Sequence, residues 1–83
     1  MTTANQDIKT KYEPFDGCYG VVIERCRAGA YLQLDNGEEA FAYRFGNLFP
    51  GTKVLCTVLR EAKEEKRMLV SIDSVLEYAG FAA

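Results

Sequence analysis

From Gly17 onward, apolar and polar positions alternate through most of the chain, the period-two signature of strands with one buried face. Five runs carry it: "CYGVVIERC" at 18–26, "AYLQLD" at 30–35, "EEAFAYRF" at 38–45, "TKVLCTVLRE" at 52–61 and "RMLVSID" at 67–73. They are separated by "RAGA", where Gly29 permits a bend or bulge, by "DNG", by the connector "GNLFPG" and by the charged loop "AKEEKR". Five short strands with little room for helix predict an all-β fold, a small five-stranded antiparallel barrel. The end of the chain, "SVLEYAGFAA" at 74–83, predicts a short helical tail, capped by Asp73 or Ser74 and stopped by Gly80. Residues 1–16 are polar and aperiodic and predict a flexible arm. The expected organisation is therefore an arm at 1–16, a barrel at 17–73 and a tail at 74–83.

One stretch resists this simple alternation. In "AGAYLQLDNGEEAFAY", Tyr31, Phe41 and Tyr43 are out of phase with the aliphatic residues. Two turns are compatible with "DNG". A two-residue Asn36-Gly37 turn sets Leu32 opposite Phe41 and buries the ring. It also sets Glu39 opposite Leu34 on the core face. A three-residue Asp35-Asn36-Gly37 loop, with Gly37 left-handed, sets Tyr31 opposite Phe41 and Leu32 opposite Ala40. A one-residue slip exchanges the two faces, so the cost of burying an unpaired carboxylate favours the three-residue loop. Under that register Leu32, Leu34, Ala40 and Ala42 face inward, and three rings form an outer platform.

Composition narrows the function. The 83 residues carry 12 Asp/Glu and 10 Lys/Arg, a net charge of −2. Between Gly17 and Ile72, eight Lys/Arg stand against seven Asp/Glu, so any positive patch is local. No apolar run approaches the ~18 residues of a membrane span, and the polar start "MTTANQDIKTKYEP" has no signal-like apolar segment. A soluble cytoplasmic monomer without membrane contact is expected. Three cysteines, Cys18, Cys26 and Cys56, with no histidine and no Cys-x-x-Cys, argue against a disulfide framework and a zinc site. Cys26 and Cys56 lie in strand-like runs and are expected as small core residues. No glycine-rich phosphate loop, nucleophile elbow or histidine is present, so neither an enzyme nor a cofactor is expected.

The spacing of several short motifs resembles the S1-type RNA-binding domain of the OB-fold superfamily. The matching residues are Gly20-Val21-Val22, Gly29-Ala30-Tyr31, Gly37-Glu38-Glu39-Ala40-Phe41, Gly51-Thr52-Lys53-Val54 and Lys66-Arg67-Met68-Leu69-Val70-Ser71-Ile72, and they span 17–73. The resemblance implies an OB-fold barrel in which RNA crosses strands two and three. It carries the RNA-binding role to Tyr31, Phe41, Tyr43 and Arg67. Ala28 stands where the family often has a further aromatic, and Ala62 where an acidic residue is common. The connector "RFGNLFPG" is shorter than the family's usual one.

Residue chemistry agrees with that implication. Ring faces stack on bases at roughly 1–3 kcal/mol each, and arginines meet phosphates or stack. Arg25, Arg27, Arg44, Arg60 and Arg67 are the candidate cations, and for Arg60 the solvated surface is the favoured reading. The expected function is weak, sequence-tolerant, salt-sensitive binding of single-stranded RNA in translation or RNA metabolism. Nothing in the sequence separates RNA from DNA. Two competing roles exist for the rings. They can pack against the tail, with Tyr78 and Phe81 as partners, or they can dock a protein partner such as a ribosomal or polymerase component, or a second copy.

Overall fold

The computed structural model describes residues 11–43, 47–64 and 66–80. They form five strands: β1 (Gly17–Arg25), β2 (Gly29–Leu34), β3 (Glu39–Tyr43), β4 (Lys53–Arg60) and β5 (Met68–Glu77). These close into a barrel in the order β1-β2-β3-β5-β4, with β4 returning to β1. Closure gives each of the five strands a partner on both sides. The barrel departs in one place from the wholly antiparallel one expected from the sequence. β3 and β5 pair in parallel, Ala40 with Met68 and Phe41 with Leu69. That pairing is possible because β4 and its connections lie between the two strands in the chain, long enough for a crossover.

Alternation within each strand supplies the core. Val22, Leu32, Val54, Val58, Met68 and Val70 are buried together, joined by Ala30, Ala40 and Ala42. Cys18 and Cys56 are register partners on β1 and β4 and both are buried. The Cys56 thiol, hydrogen-bonded to Cys18 and buried, is held well above the ordinary thiol range and stays protonated. Cys26 does not join them: it is exposed, because β1 ends at Arg25.

The β2–β3 connection is the three-residue loop. Gly37 has φ +94°, and the Leu34 and Gly37 amides donate to the Glu38 and Leu34 carbonyls at 2.8 and 2.9 Å. Tyr31 therefore pairs with Phe41 and Leu32 with Ala40. Asn36 reinforces the turn: its side-chain carbonyl accepts from the Glu38 amide at 2.9 Å and its side-chain amide donates to the Glu38 carboxylate at 2.7 Å. Gly29 matters for space rather than for φ. A Cβ there would lie 2.0 Å from the Ala42 carbonyl oxygen.

Two expectations for the ends of the barrel change. The described part of the tail, 74–80, shows no helix: Ser74–Glu77 extend β5 along β4, with Val75 opposite Val54 and Glu77 opposite Lys53. Asp73 accepts hydrogen bonds from Thr57 and Ser71 and is thereby engaged as a strand residue rather than as a helix cap. Ladder pairing and burial of Val75 outweigh a weak local helix signal. Phe81 lies outside the described residues. At the other end, Tyr12 of the segment expected as an arm is a core residue, only 3% exposed. Its hydroxyl donates to the Asp35 carboxylate and its amide to Glu38 at 3.1 Å, so Tyr12 clamps the β2–β3 turn, while Phe15 and Asp16 exchange backbone hydrogen bonds with Val58 of β4. Burial and the neighbouring Asp35 carboxylate push the Tyr12 phenol well above its ordinary pKa.

Candidate nucleic-acid interface

The hairpin register turns Tyr31, Phe41 and Tyr43 to the outside of β2 and β3. The Tyr31 and Phe41 rings are 4.9 Å apart at 61°, and Phe41 and Tyr43 are 5.0 Å apart at 85°. Such edge-to-face contacts hold the rings in place with respect to one another. Tyr31 and Phe41 are half-buried, and Tyr43 is 57% exposed. The described part of the tail does not run over β2 and β3. It follows β4, and the Ala79 amide donates to the Thr52 hydroxyl at 3.2 Å.

The pairing register extends this platform into a row across the barrel: Glu24 opposite Tyr31, Tyr31 opposite Phe41, Phe41 opposite Leu69, and Leu69 opposite Arg60. Two bulges make the row. In plain alternation Glu24 follows Val22 in the inward phase and Arg60 follows Val58. Register shifts between Val22 and Glu24, and between Val58 and Arg60, rotate both charges to the outer face. The row is acidic at its β1 end, aromatic in the middle and basic at its β4 end.

A groove of about 520 Å³ follows the row from Tyr31 to Arg60. Tyr31, Phe41 and Tyr43 line it from β2 and β3, and Arg60, Lys66 and Arg67 line it from the β4–β5 hairpin. That hairpin is pinned by reciprocal backbone hydrogen bonds between Lys63 and Lys66, at 2.9 and 3.0 Å. Arg67 sits with its guanidinium carbon 4.9 Å from the Tyr31 ring centre and donates to Glu39 at 2.6 Å. Both partners of this ion pair are about half exposed, which limits its worth to under ~1 kcal/mol. Arg60 donates from Nη2 to the Arg67 carbonyl at 3.2 Å, while its buried Nε has no hydrogen-bond partner.

Four of the residues proposed from sequence thus meet: Tyr31, Phe41, Tyr43 and Arg67. Two others are elsewhere. Arg25 lies 4.2 Å over the Phe49 ring, beside the β3–β4 connector, and Arg27 is at the tip of the tight turn closed by Cys26 and Gly29. Arg44 lies outside the described residues. Arg60 and Lys66 belong to the groove, which places Arg60 at the site rather than on the merely solvated surface. An arginine in the inward phase of a strand is the available signal, since such a charge needs either a buried partner or a bulge. Cys26, expected in the core, lines the groove's end with Ala28.

Among the described residues no cluster of His, Cys, Asp and Glu suits a metal ion. No family model, curated protein or solved structure matches the chain.

Proposed function

We propose that this chain is an S1-like OB-fold module that binds single-stranded RNA, with Tyr31, Phe41 and Tyr43 stacking on bases and Arg67, Arg60 and Lys66 meeting the backbone. The observation that carries the reading is the outward row of three packed rings beside a cation-lined groove. Single-stranded nucleic acids are held by this combination, because every base has a ring face and every phosphate a charge. Two or three stacks at roughly 1–3 kcal/mol each, less the cost of association, correspond to micromolar affinity with little sequence preference. A role in translation or RNA metabolism, in the cytoplasm, is the setting that accompanies the resemblance.

The test is a titration of labelled protein with a short single-stranded RNA at low and at high salt. Amide shifts should centre on residues 31–43 and fade as salt rises. No shift at low salt and excess RNA would end the reading. Shifts on the same face that depend on protein concentration alone would point instead to a protein-interaction surface.

A further inference from the structure

We propose that Glu24 reads the edge of a base in the bound strand and gives the site a preference for guanine at one position. The inference rests on the nucleic-acid reading above and adds one selective position to an otherwise sequence-tolerant surface.

Beside the platform lies a hollow of about 290 Å³, lined by Ile23, Glu24, Tyr31, Glu39 and Arg67. Glu24 is there because of the β1 bulge. The register shift between Val22 and Glu24 takes it out of the inward phase and sets it directly opposite Tyr31. Directly opposed residues share a face, with Cβ atoms about 5 Å apart, so the carboxylate stands on the same side of the sheet as the ring. Ile23, the residue at the bulge, is 41% exposed and adds an apolar wall.

The two carboxylates of the hollow are not equivalent. Glu39 accepts from Arg67 at 2.6 Å, and the same guanidinium leans over the Tyr31 ring at 4.9 Å. Within that pair each charge answers the other. Glu24 makes no side-chain hydrogen bond or ion pair among the described residues. It is the acceptor that the free protein leaves unused.

Chemistry selects what meets it. A carboxylate only accepts hydrogen bonds, and it is best satisfied by two donors side by side. In a single strand the Watson–Crick edges of the bases are free. Guanine presents its N1–H and an N2 amino hydrogen next to each other, a match for the two carboxylate oxygens. Adenine and cytosine each present one amino group beside a ring-nitrogen acceptor. Uracil presents one N–H between two carbonyls, which repel the carboxylate. A phosphate is repelled as well, so Glu24 takes a base edge rather than the backbone. Tyr31 and the guanidinium over it are both surfaces on which that base stacks.

The experiment titrates the full chain with short oligoribonucleotides at one salt concentration: a run of uridines, the same run with a central guanosine, and the same run with inosine in that place. Inosine lacks the N2 amino group but stacks as a purine, which separates the amino contact from stacking. The guanosine strand should bind about fivefold to tenfold more tightly than the uridine strand, the lower range of a two-bond base contact, with inosine between them. In a folded Glu24→Gln variant the guanosine and inosine affinities should converge. In the unaltered protein the side-chain carboxylate carbon of Glu24 should shift with the guanosine strand at saturation and stay with the uridine strand. An unmoved carboxylate resonance would overturn the assignment. So would a guanosine preference over inosine that survives Glu24→Gln, or one that is lost in Glu39→Gln instead. Equal binding of guanosine and inosine strands by the unaltered protein would also overturn it and leave the stacking platform standing. No binding of any strand would remove the nucleic-acid reading itself.

Discussion

The two faces of the β2–β3 hairpin are built from the same two strands, yet they differ in kind. The inner face carries Leu32, Leu34, Ala40 and Ala42, each at most 3% exposed. The outer face carries Tyr31, Phe41 and Tyr43, half-buried to exposed. Small residues go inside because a five-stranded barrel has a narrow interior, and Ala30, Ala40 and Ala42 leave room for Leu32 and Met68. Rings go outside, where they support one another edge to face. The difference teaches that aromatic content in a small barrel need not be core. Here the stabilising side chains and those available to a ligand are separated by a single residue of register.

Four substitutions break or sharpen that contrast. Leu32→Ala should cost about 2–5 kcal/mol of stability in urea unfolding, as removal of a fully buried leucine does. A loss near zero would mean that the inner face is not the core. Phe41→Ala should weaken RNA binding by about 1–3 kcal/mol in titration calorimetry, with a smaller loss of stability than Leu32→Ala. If instead it unfolds the protein as far as Leu32→Ala does, the outer face is structural.

Tyr12→Phe probes what holds the hairpin turn. The folded-state pKa of Tyr12 is raised above its ordinary value of about 10, so its contribution is fully present below pH 10 and is lost as pH rises toward the folded value. The unaltered protein should lose up to about 1.4 kcal/mol of stability per pH unit above pH 10 from this group, and the variant should show a flatter decline. Equal slopes in alkaline melting curves would show that the phenol does not sense the fold. Glu39→Gln removes the partner of Arg67 beside Tyr31. The exposed ion pair is weak, so RNA affinity should rise by only about twofold to fivefold with stability nearly unchanged. Weaker binding would show that Arg67 needs Glu39 to hold it over the ring.

Much of this architecture is legible in the residues themselves. The five strands announce themselves by alternation, since one face of each must be buried. The hairpin register follows from a single electrostatic argument: the other turn places Glu39 against Leu34. Tyr31, Phe41 and Tyr43 therefore emerge as an outer set from sequence alone. Arg60 is legible only in part: alternation shows a charge in the inward phase of β4, but whether a buried partner or a bulge at Leu59 resolves it is decided by the pairing with β5. Cys26 misleads for a related reason: its run looks like strand, but the strand ends one residue earlier. Ser74–Glu77 read locally as a helix start and are strand because β4 offers a ladder and a buried partner for Val75.

The sequence by itself determined the alternation, the turn at Gly37 and the division of the hairpin into an aliphatic and an aromatic face. Those are short-range consequences of side-chain period, backbone freedom and the cost of a buried charge. Tertiary structure alone decided the parallel β3–β5 closure, the clamping of the turn by Tyr12, and the row from Glu24 through the rings to Arg60. Each of these joins residues far apart in the chain, and bulges shift their phase. Their energy comes from partners the local sequence does not contain.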